Sequence, residues 1–233
     1  MNNCFSLNDP RLRLAASLVR DGARFADIGT DHAHLPLYLL SQGRIASAVA
    51  ADVAEGPLSR ARENVRASGY EGRITLLLAD GLSGMEGLGL TDIAICGMGG
   101  ELIASILEAA PFVRDPAIRL ILQPMTRLEE LRRYLGASGF AVTAERYTVA
   151  GGRPYACLVA SYTGDVRKIS AVEAVLGASP LRDPADATAF LAFLTMRERE
   201  AKARIRGRLT GGADISADEE LIAAIAVERE TLV

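Results

Sequence analysis

Five short motifs carry side chains able to do chemistry, and each follows an apolar run. The first is Asp27-Ile28-Gly29-Thr30-Asp31-His32-Ala33-His34. Gly29 lets the backbone turn tightly beside a ligand, and Asp27 is placed to meet a cationic amino group. A pyrophosphate-binding turn needs G-x-G-x-x-G, whose glycines let phosphate sit on a helix N-terminus, whereas this loop has one glycine and is acidic. It therefore suits a positively charged ligand. Taken alone, Asp27 and Asp31 serve equally well as caps of the following helix, since Asp is a favoured N-cap residue. His32, beside Asp31, is placed to line the same loop, while His34 reads better as a surface or helix-capping residue. Asp52, 23 residues after Gly29 and followed by Val53, can accept hydrogen bonds from both hydroxyls of a ribose. Asp80-Gly81 offers an acceptor for an exocyclic amino group, or simply a turn. Cys96-Gly97-Met98-Gly99-Gly100 keeps backbone and cavity open where two reactants meet, although a tight strand-to-helix turn asks for the same glycines. Gln123-Pro124 adds an amide.

The elements that must position these residues are short apolar runs alternating with amphipathic stretches, the pattern of repeated βα units. Strands are predicted over 24–28, 48–52, 74–79, 92–96, 120–123, 141–146 and 155–161, and helices over 36–41, 57–68, 101–109 and from a Thr126/Glu129 capping box to Ser138, where Gly139 stops the chain. The link 150–154 is too short for a helical crossover, so the last two strands should pair antiparallel. All five motifs then lie at the carboxyl ends of consecutive parallel strands, the edge where open α/β sheets bind ligands. A seven-stranded, mostly parallel sheet ending in an antiparallel hairpin is the plan of the Rossmann-like class I methyltransferases, and it differs from dinucleotide dehydrogenases, whose sheets stay parallel. The ligand that fits an acidic turn on this plan is S-adenosylmethionine, which carries a sulfonium and an ammonium and no phosphate.

From Gly164 onward the pattern is helical. Ser170/Glu173 and Ser216/Glu219 read as capping boxes, and Phe190, Leu191, Leu194, Ala201, Ile205 and Leu209 mark one apolar face of a long helix. Thr210 to Asp214 makes a turn, and Leu221, Ile222, Ile225 and Leu232 supply the facing stripe of a helical hairpin or short coiled coil. The expected division is a ligand-binding domain, residues 1–163, and a helical hairpin, 164–233. Composition is that of a globular protein: 233 residues, 49% hydrophobic and 24% charged. The formal charge of −3 gives no global attraction to a polyanion, so any nucleic-acid contact must be local. Cys4, Cys96 and Cys157 are odd in number and far apart, and with His32 and His34 the sole histidines neither a disulfide framework nor a metal centre is indicated. No long uncharged apolar run or signal peptide is visible, so a cytoplasmic protein with no membrane partner is expected.

The series Asp27-Ile-Gly-Thr-Asp-His-Ala-His-Leu-Pro36, Glu55-Gly-Pro57 leading to Ala61 and Asn64-Val65, Asp80-Gly-Leu82, Gly97-Met-Gly-Gly100 and Leu120-Ile-Leu-Gln-Pro124 resembles the bacterial tRNA (adenine-22-N1)-methyltransferases over roughly the first 160 residues. The resemblance implies methyl transfer from S-adenosylmethionine to N1 of an adenine in the D-arm of tRNA. The expected cofactor site is Asp27, Gly29, Thr30, His32, Asp52, Val53, Asp80, Gly81, Gly97, Met98 and Gly99; for the chemistry, Asp31 is the candidate carboxylate near the adenine N6 and Gln123, through its amide, the candidate that reads the base edge. The family commonly has Ser at Thr30, Tyr at His34 and Asn at Met125. It also favours a tRNA-binding part for Arg197, Arg199, Lys202, Arg204, Arg206 and Arg208, where a solvated helix face laced with ion pairs is the plain alternative. A monomer or a homodimer fits equally. The competing reading is a methyltransferase for a non-RNA substrate, with the tail used for dimerisation; a non-catalytic binding protein on the same scaffold is a third.

Overall fold

The computed structural model describes residues 5–178, 181–209 and 214–232. The chain opens with α1 (Pro10–Leu18), started by the Asp9 carboxylate accepting from the Arg11 N–H and by Pro10 in the first turn. Five strands and four helices follow, with no helix between the third and fourth strands: β1 (Phe25–Ile28), α2 (His34–Ser41), β2 (Ala48–Asp52), α3 (Glu55–Ala67), β3 (Ile74–Leu78), β4 (Asp92–Gly99), α4 (Gly100–Glu108), β5 (Arg119–Thr126) and α5 (Leu128–Ala137). The hairpin β6 (Phe140–Ala150) and β7 (Arg153–Tyr162) turns at Gly151-Gly152, both at positive φ. The tail holds α6 (Ala171–Leu176), α7 (Ala187–Leu209) and α8 (Ser216–Glu230).

The seven strands form one sheet of order β3-β2-β1-β4-β5-β7-β6. β1 to β5 run parallel, and β7 is antiparallel to both β5 and β6. The chain steps outward from β1 to β3 and then returns to β4 on the other side of β1, so the crevice of this sheet opens above the carboxyl ends of β1 and β4. Helices cover both faces. One apolar cluster joins α1, α2 and α3 to the sheet through residues such as Ala16, Leu37 and Ala61. The other joins α4 and α5 through Ile103 and Leu131, and continues without a break into Phe190, Phe193, Leu194, Leu221 and Ile225 of α7 and α8.

Several sequence expectations change for physical reasons. β4 and β5 run past the predicted ends, pairing Cys96 with Gln123, Met98 with Pro124 and Gly99 with Thr126, with register shifts around Met98. Gly97 is the extra residue of this bulge, at φ +81. On its β7 side Pro124 has no strand partner, because β7 pairs β5 only over Leu120, Ile121 and Leu122, and on its β4 side it falls at the bulge, where Pro is tolerated. Thr126 consequently belongs to β5 and caps nothing; α5 starts after Arg127, itself in the left-handed region at φ 57. The Ser170/Glu173 cap forms, with Ser170 Oγ accepting from the Glu173 N–H. The Ser216/Glu219 cap does not: Ile215 is the N-cap, and Asp214 accepts from the Ser216 N–H instead. Leu191, assigned to the apolar face of α7, is 45% exposed, and Phe193 at 1% takes its place. The turn at 210–213 and the side chain of Leu209 lie outside the described residues, as does Cys4.

Candidate functional site

A cleft of about 520 Å³ opens at the carboxyl ends of β1 and β4. Asp27, Gly29, Asp31, His32, Gly97 and Gln123, all singled out by type and spacing, line it together. Cys96 and His34 line it too, so His34 is not a surface or capping residue. Capping is also excluded for Asp27 and Asp31, because α2 begins after Ala33 with no side-chain cap bond. His32 and Ala33 are held in the left-handed region at φ 68 and 55, the kind of local strain that concentrates at ligand loops. Asn64 Nδ2 fixes this conformation by donating to the His32 carbonyl at 3.0 Å.

Asp27 is 6% exposed and accepts from the Thr30 hydroxyl at 2.6 Å. Thr30 is thereby buried behind the loop rather than lining the cleft. No basic side chain pairs with Asp27 among the described residues. Burial, with a smaller contribution from Asp52, pushes its carboxyl up to about 6 against the lowering bond from Thr30. A buried carboxylate without a counter-ion is a receptor for a cation. Gly29 sits at φ +74, and a Cβ there would meet Met98 Cε, so Met98 leans across the first loop. Gly97 has open space where a Cβ would point. Burial and the neighbouring Cys157 raise the Cys96 thiol, which keeps it neutral at physiological pH.

Gln123 is 1% exposed. Its Oε1 accepts from the Gly97 N–H at 3.2 Å and its Nε2 donates to the Pro124 carbonyl at 3.0 Å. Nε2 also donates to Met125 Sδ at 3.8 Å, which leaves one lone pair of Oε1 for a ligand. Asp31 stands at the mouth, 2.9 Å from Arg60 Nη2 and 3.4 Å from His32 Nε2. The remaining candidates extend outward from the cleft without lining it. Asp52 accepts from the Ala54 N–H at 2.8 Å, a turn bond that leaves its second oxygen free. Val53 beside it is 70% exposed. Asp80 and Gly81 follow the end of β3, and Gly99 precedes α4.

The N-terminal segment contributes a wall that motif reading missed. Ser6, Asn8, Asp9 and Arg11 line the cleft. Arg11 pairs with Asp9 at 2.6 Å, approaches Met125 Sδ at 2.6 Å and lies over the Tyr155 ring at 5.3 Å. The hydrogen bonds that Arg11 donates to the Asp9 carboxylate raise its already high basicity. The one legible signal was Asp9-Pro10, a helix start that places Arg11 in the first turn of α1. Among the tail cations the structure divides the set. Arg204 and Arg208 grip the buried Asp218 at 2.7 and 3.2 Å, and Arg197 is held by Glu129 at 2.9 Å. Lys202 reaches Glu198 at 2.5 Å, while Arg199 and Arg206 are exposed without an ion pair among the described residues.

A doubly wound sheet with an antiparallel β7, and an acidic cleft above β1 and β4 with no phosphate-binding glycine turn, define a Rossmann-like methyltransferase. Residues 8–158 match the family model described as a methyltransferase domain. A curated tRNA (adenine(22)-N(1))-methyltransferase of Bacillus subtilis is 37% identical over 150 residues, covering 64% of this chain and 63% of the relative. A Streptococcus pneumoniae protein solved in complex with S-adenosyl-L-methionine superposes with a TM-score of 0.79 at 34% identity, over 93% of this chain and 100% of that one. The B. subtilis M1A22 tRNA methyltransferase structure gives 0.76 at 29% identity, over 98% and 97%. The chain belongs to the bacterial tRNA (adenine-22-N1)-methyltransferase family. The sequence match spans 63% of the length of the curated relatives. Among the described residues no helix is long and apolar enough to cross a membrane, and no cluster of three or more His, Cys, Asp and Glu side chains could hold a metal ion.

Proposed function

We propose that this protein transfers a methyl group from S-adenosylmethionine to N1 of an adenine in the D-arm of tRNA, the position-22 class, in the cytoplasm. The observation that carries the reading is the unpaired, buried Asp27 carboxylate in the same cleft as the Gly97 bulge and Gln123. When bound, S-adenosylmethionine supplies an electrophilic methyl on a cationic sulfur. Asp27 would hold its ammonium, Asp52 would offer its free oxygen to the ribose, and Val53, 70% exposed, would give the adenine an apolar surface. Asp80 accepts from the adenine amino group.

The target adenine needs no activation, because N1 is a lone-pair nucleophile. The protein's task is to hold N1 in line with the methyl carbon at near-attack distance. Gln123 clamps the Gly97 bulge through Oε1 and offers the remaining lone pair of that oxygen to the base edge, while Nε2 is held by the Pro124 carbonyl and Met125 Sδ. As the N1–C bond forms and the S–C bond breaks, positive charge moves onto the base. Asp31, paired with Arg60, stabilises that charge and accepts a proton from N6. A duplex target must be swung out first, at about a few kcal/mol.

Labelled S-adenosylmethionine incubated with unmodified tRNA and followed by nucleoside analysis should give 1-methyladenosine, and Asp31→Ala should give none while still binding the cofactor. Label in another nucleoside, or in protein or small molecules only, overturns the proposal.

A further inference from the structure

The wall on the β5 side of the cofactor cleft is one side chain thick. Arg11 and Gln123 face the first cleft, while Met125 and Tyr155, which Arg11 touches, face a second one. This second cleft, of about 270 Å³, lies between the ends of β5, the start of β7 and the α7 helix. Its surfaces are Pro124, Pro154, Tyr155 and Phe193, and its rim carries Arg127, Arg153 and Arg197. Arg153 is exposed and without an ion pair among the described residues. Arg197 is pinned through Nη1 by Glu129 and Glu200, at 2.9 and 3.0 Å, and lies over Phe193 at 5.0 Å. Its Nε is buried with no acceptor. A buried donor left unpaired costs stability unless something else takes the hydrogen bond.

A half-buried aromatic ring, a free guanidinium at the rim and an unused donor inside match an unstacked nucleotide: ring on ring, phosphate on arginine, base acceptor on N–H. Swinging one base out of a stem exposes the faces of its neighbours, so a nucleotide beside the target arrives in need of such a surface. We propose that this second cleft is a nucleotide subsite that takes the base flanking the target adenine, stacked on Tyr155, with Arg153 on its phosphate and Arg197 Nε on its edge. The proposal rests on the tRNA reading above. It also gives Arg11 a second part, as the cation on the opposite side of Tyr155 that sets the ring's position.

The test uses the full-length enzyme, tRNA transcripts, and transcripts with an abasic nucleotide on either side of the target. Tyr155→Leu should raise KM for tRNA about tenfold, the worth of one stacked base, with the dissociation constant for S-adenosylmethionine within about twofold of the wild type; Tyr155→Phe should behave as wild type. One abasic transcript should lose about tenfold with the wild type and nothing further with Tyr155→Leu, because both remove the same contact. Arg153→Ser, an exposed change safe for folding, should lower the salt dependence of tRNA binding by about one phosphate. Additive losses for both abasic transcripts, a cofactor affinity that falls in step with KM, or an unchanged salt slope in Arg153→Ser overturns the subsite. Wild-type enzyme that fails to methylate the intact transcript instead overturns the tRNA reading itself.

Discussion

Asp27 is isolated from every basic side chain described, and its ordinary ionisation is resisted mainly by burial. In the free protein it titrates near 6, against 3.8 in an exposed chain. The sign follows from the raised value: burying the anion costs folding stability above pH 6, and that cost fades as pH falls toward the unfolded value. Binding runs the other way, because a cationic amino group needs the carboxylate. Affinity for S-adenosylmethionine should therefore be flat above about pH 7 and fall up to tenfold per pH unit below 6, while the apo protein loses no stability from this group over the same range. Calorimetric titration from pH 5 to 8 checks it, and Asp27→Asn should abolish the pH dependence along with most of the affinity. Asp27, Gly29, Gly97 and Gln123 were legible in the sequence because turn chemistry at strand ends is local. Arg11 was not: its role depends on α1 laying it against Met125 and Tyr155, more than a hundred residues away. His34 was misjudged for the same reason, since only the left-handed turn at His32 and Ala33 swings it into the cleft.

At the level of elements, strand alternation and βα spacing located every strand of the sheet, but the capping boxes at Thr126 and Ser216 failed where strand pairing or a neighbouring Asp outcompeted the local cap. The α7 helix shows what periodicity alone leaves open. Arg199, Lys202 and Arg206 recur at i, i+3 and i+7 and share one exposed face, whereas Arg204 and Arg208 turn toward Asp218 of α8. One stripe is available to a polyanion and the other fastens the hairpin. Arg199→Glu combined with Arg206→Glu should raise KM for tRNA at least about tenfold and reduce the salt slope by about two, with the melting temperature unchanged. Arg204→Ala combined with Arg208→Ala should leave the 4% exposed Asp218 without a counter-charge and lower the melting temperature by several degrees. Filter binding at several salt concentrations beside thermal unfolding separates the two faces. Equal effects on both readouts for both pairs would show the division to be false.

On the scale of the molecule, the tail and the sheet are joined through shared core rather than a hinge. Phe190 of α7 packs its ring 4.8 Å from that of Tyr147 of β6, and both are essentially buried. Tyr147 in turn donates to Glu145, which Arg132 of α5 holds in a buried bidentate pair at 3.0 and 2.9 Å, and Arg132 also donates to the Ala174 and Val175 carbonyls of α6. Breaking such a buried ion pair on one side costs several kcal/mol, so α5, α6, β6 and α7 should open together. Removing residues 164–233 would strip the cover from Tyr147 and leave this charge network facing water, which makes truncation a poor way to isolate RNA binding. Phe190→Ala is the cleaner probe: a buried Phe to Ala change costs about 3–5 kcal/mol, or about 10 °C in a chain of this length. The loss should appear in one cooperative transition, with hydrogen-exchange protection falling alike in β6 and α8, and with S-adenosylmethionine raising the melting point of the whole molecule, tail included. A tail that melts first while β6 keeps its protection would mean that the sheet and the tail are separable units; a single transition means that a ligand bound above β1 and β4 also steadies α7 and α8.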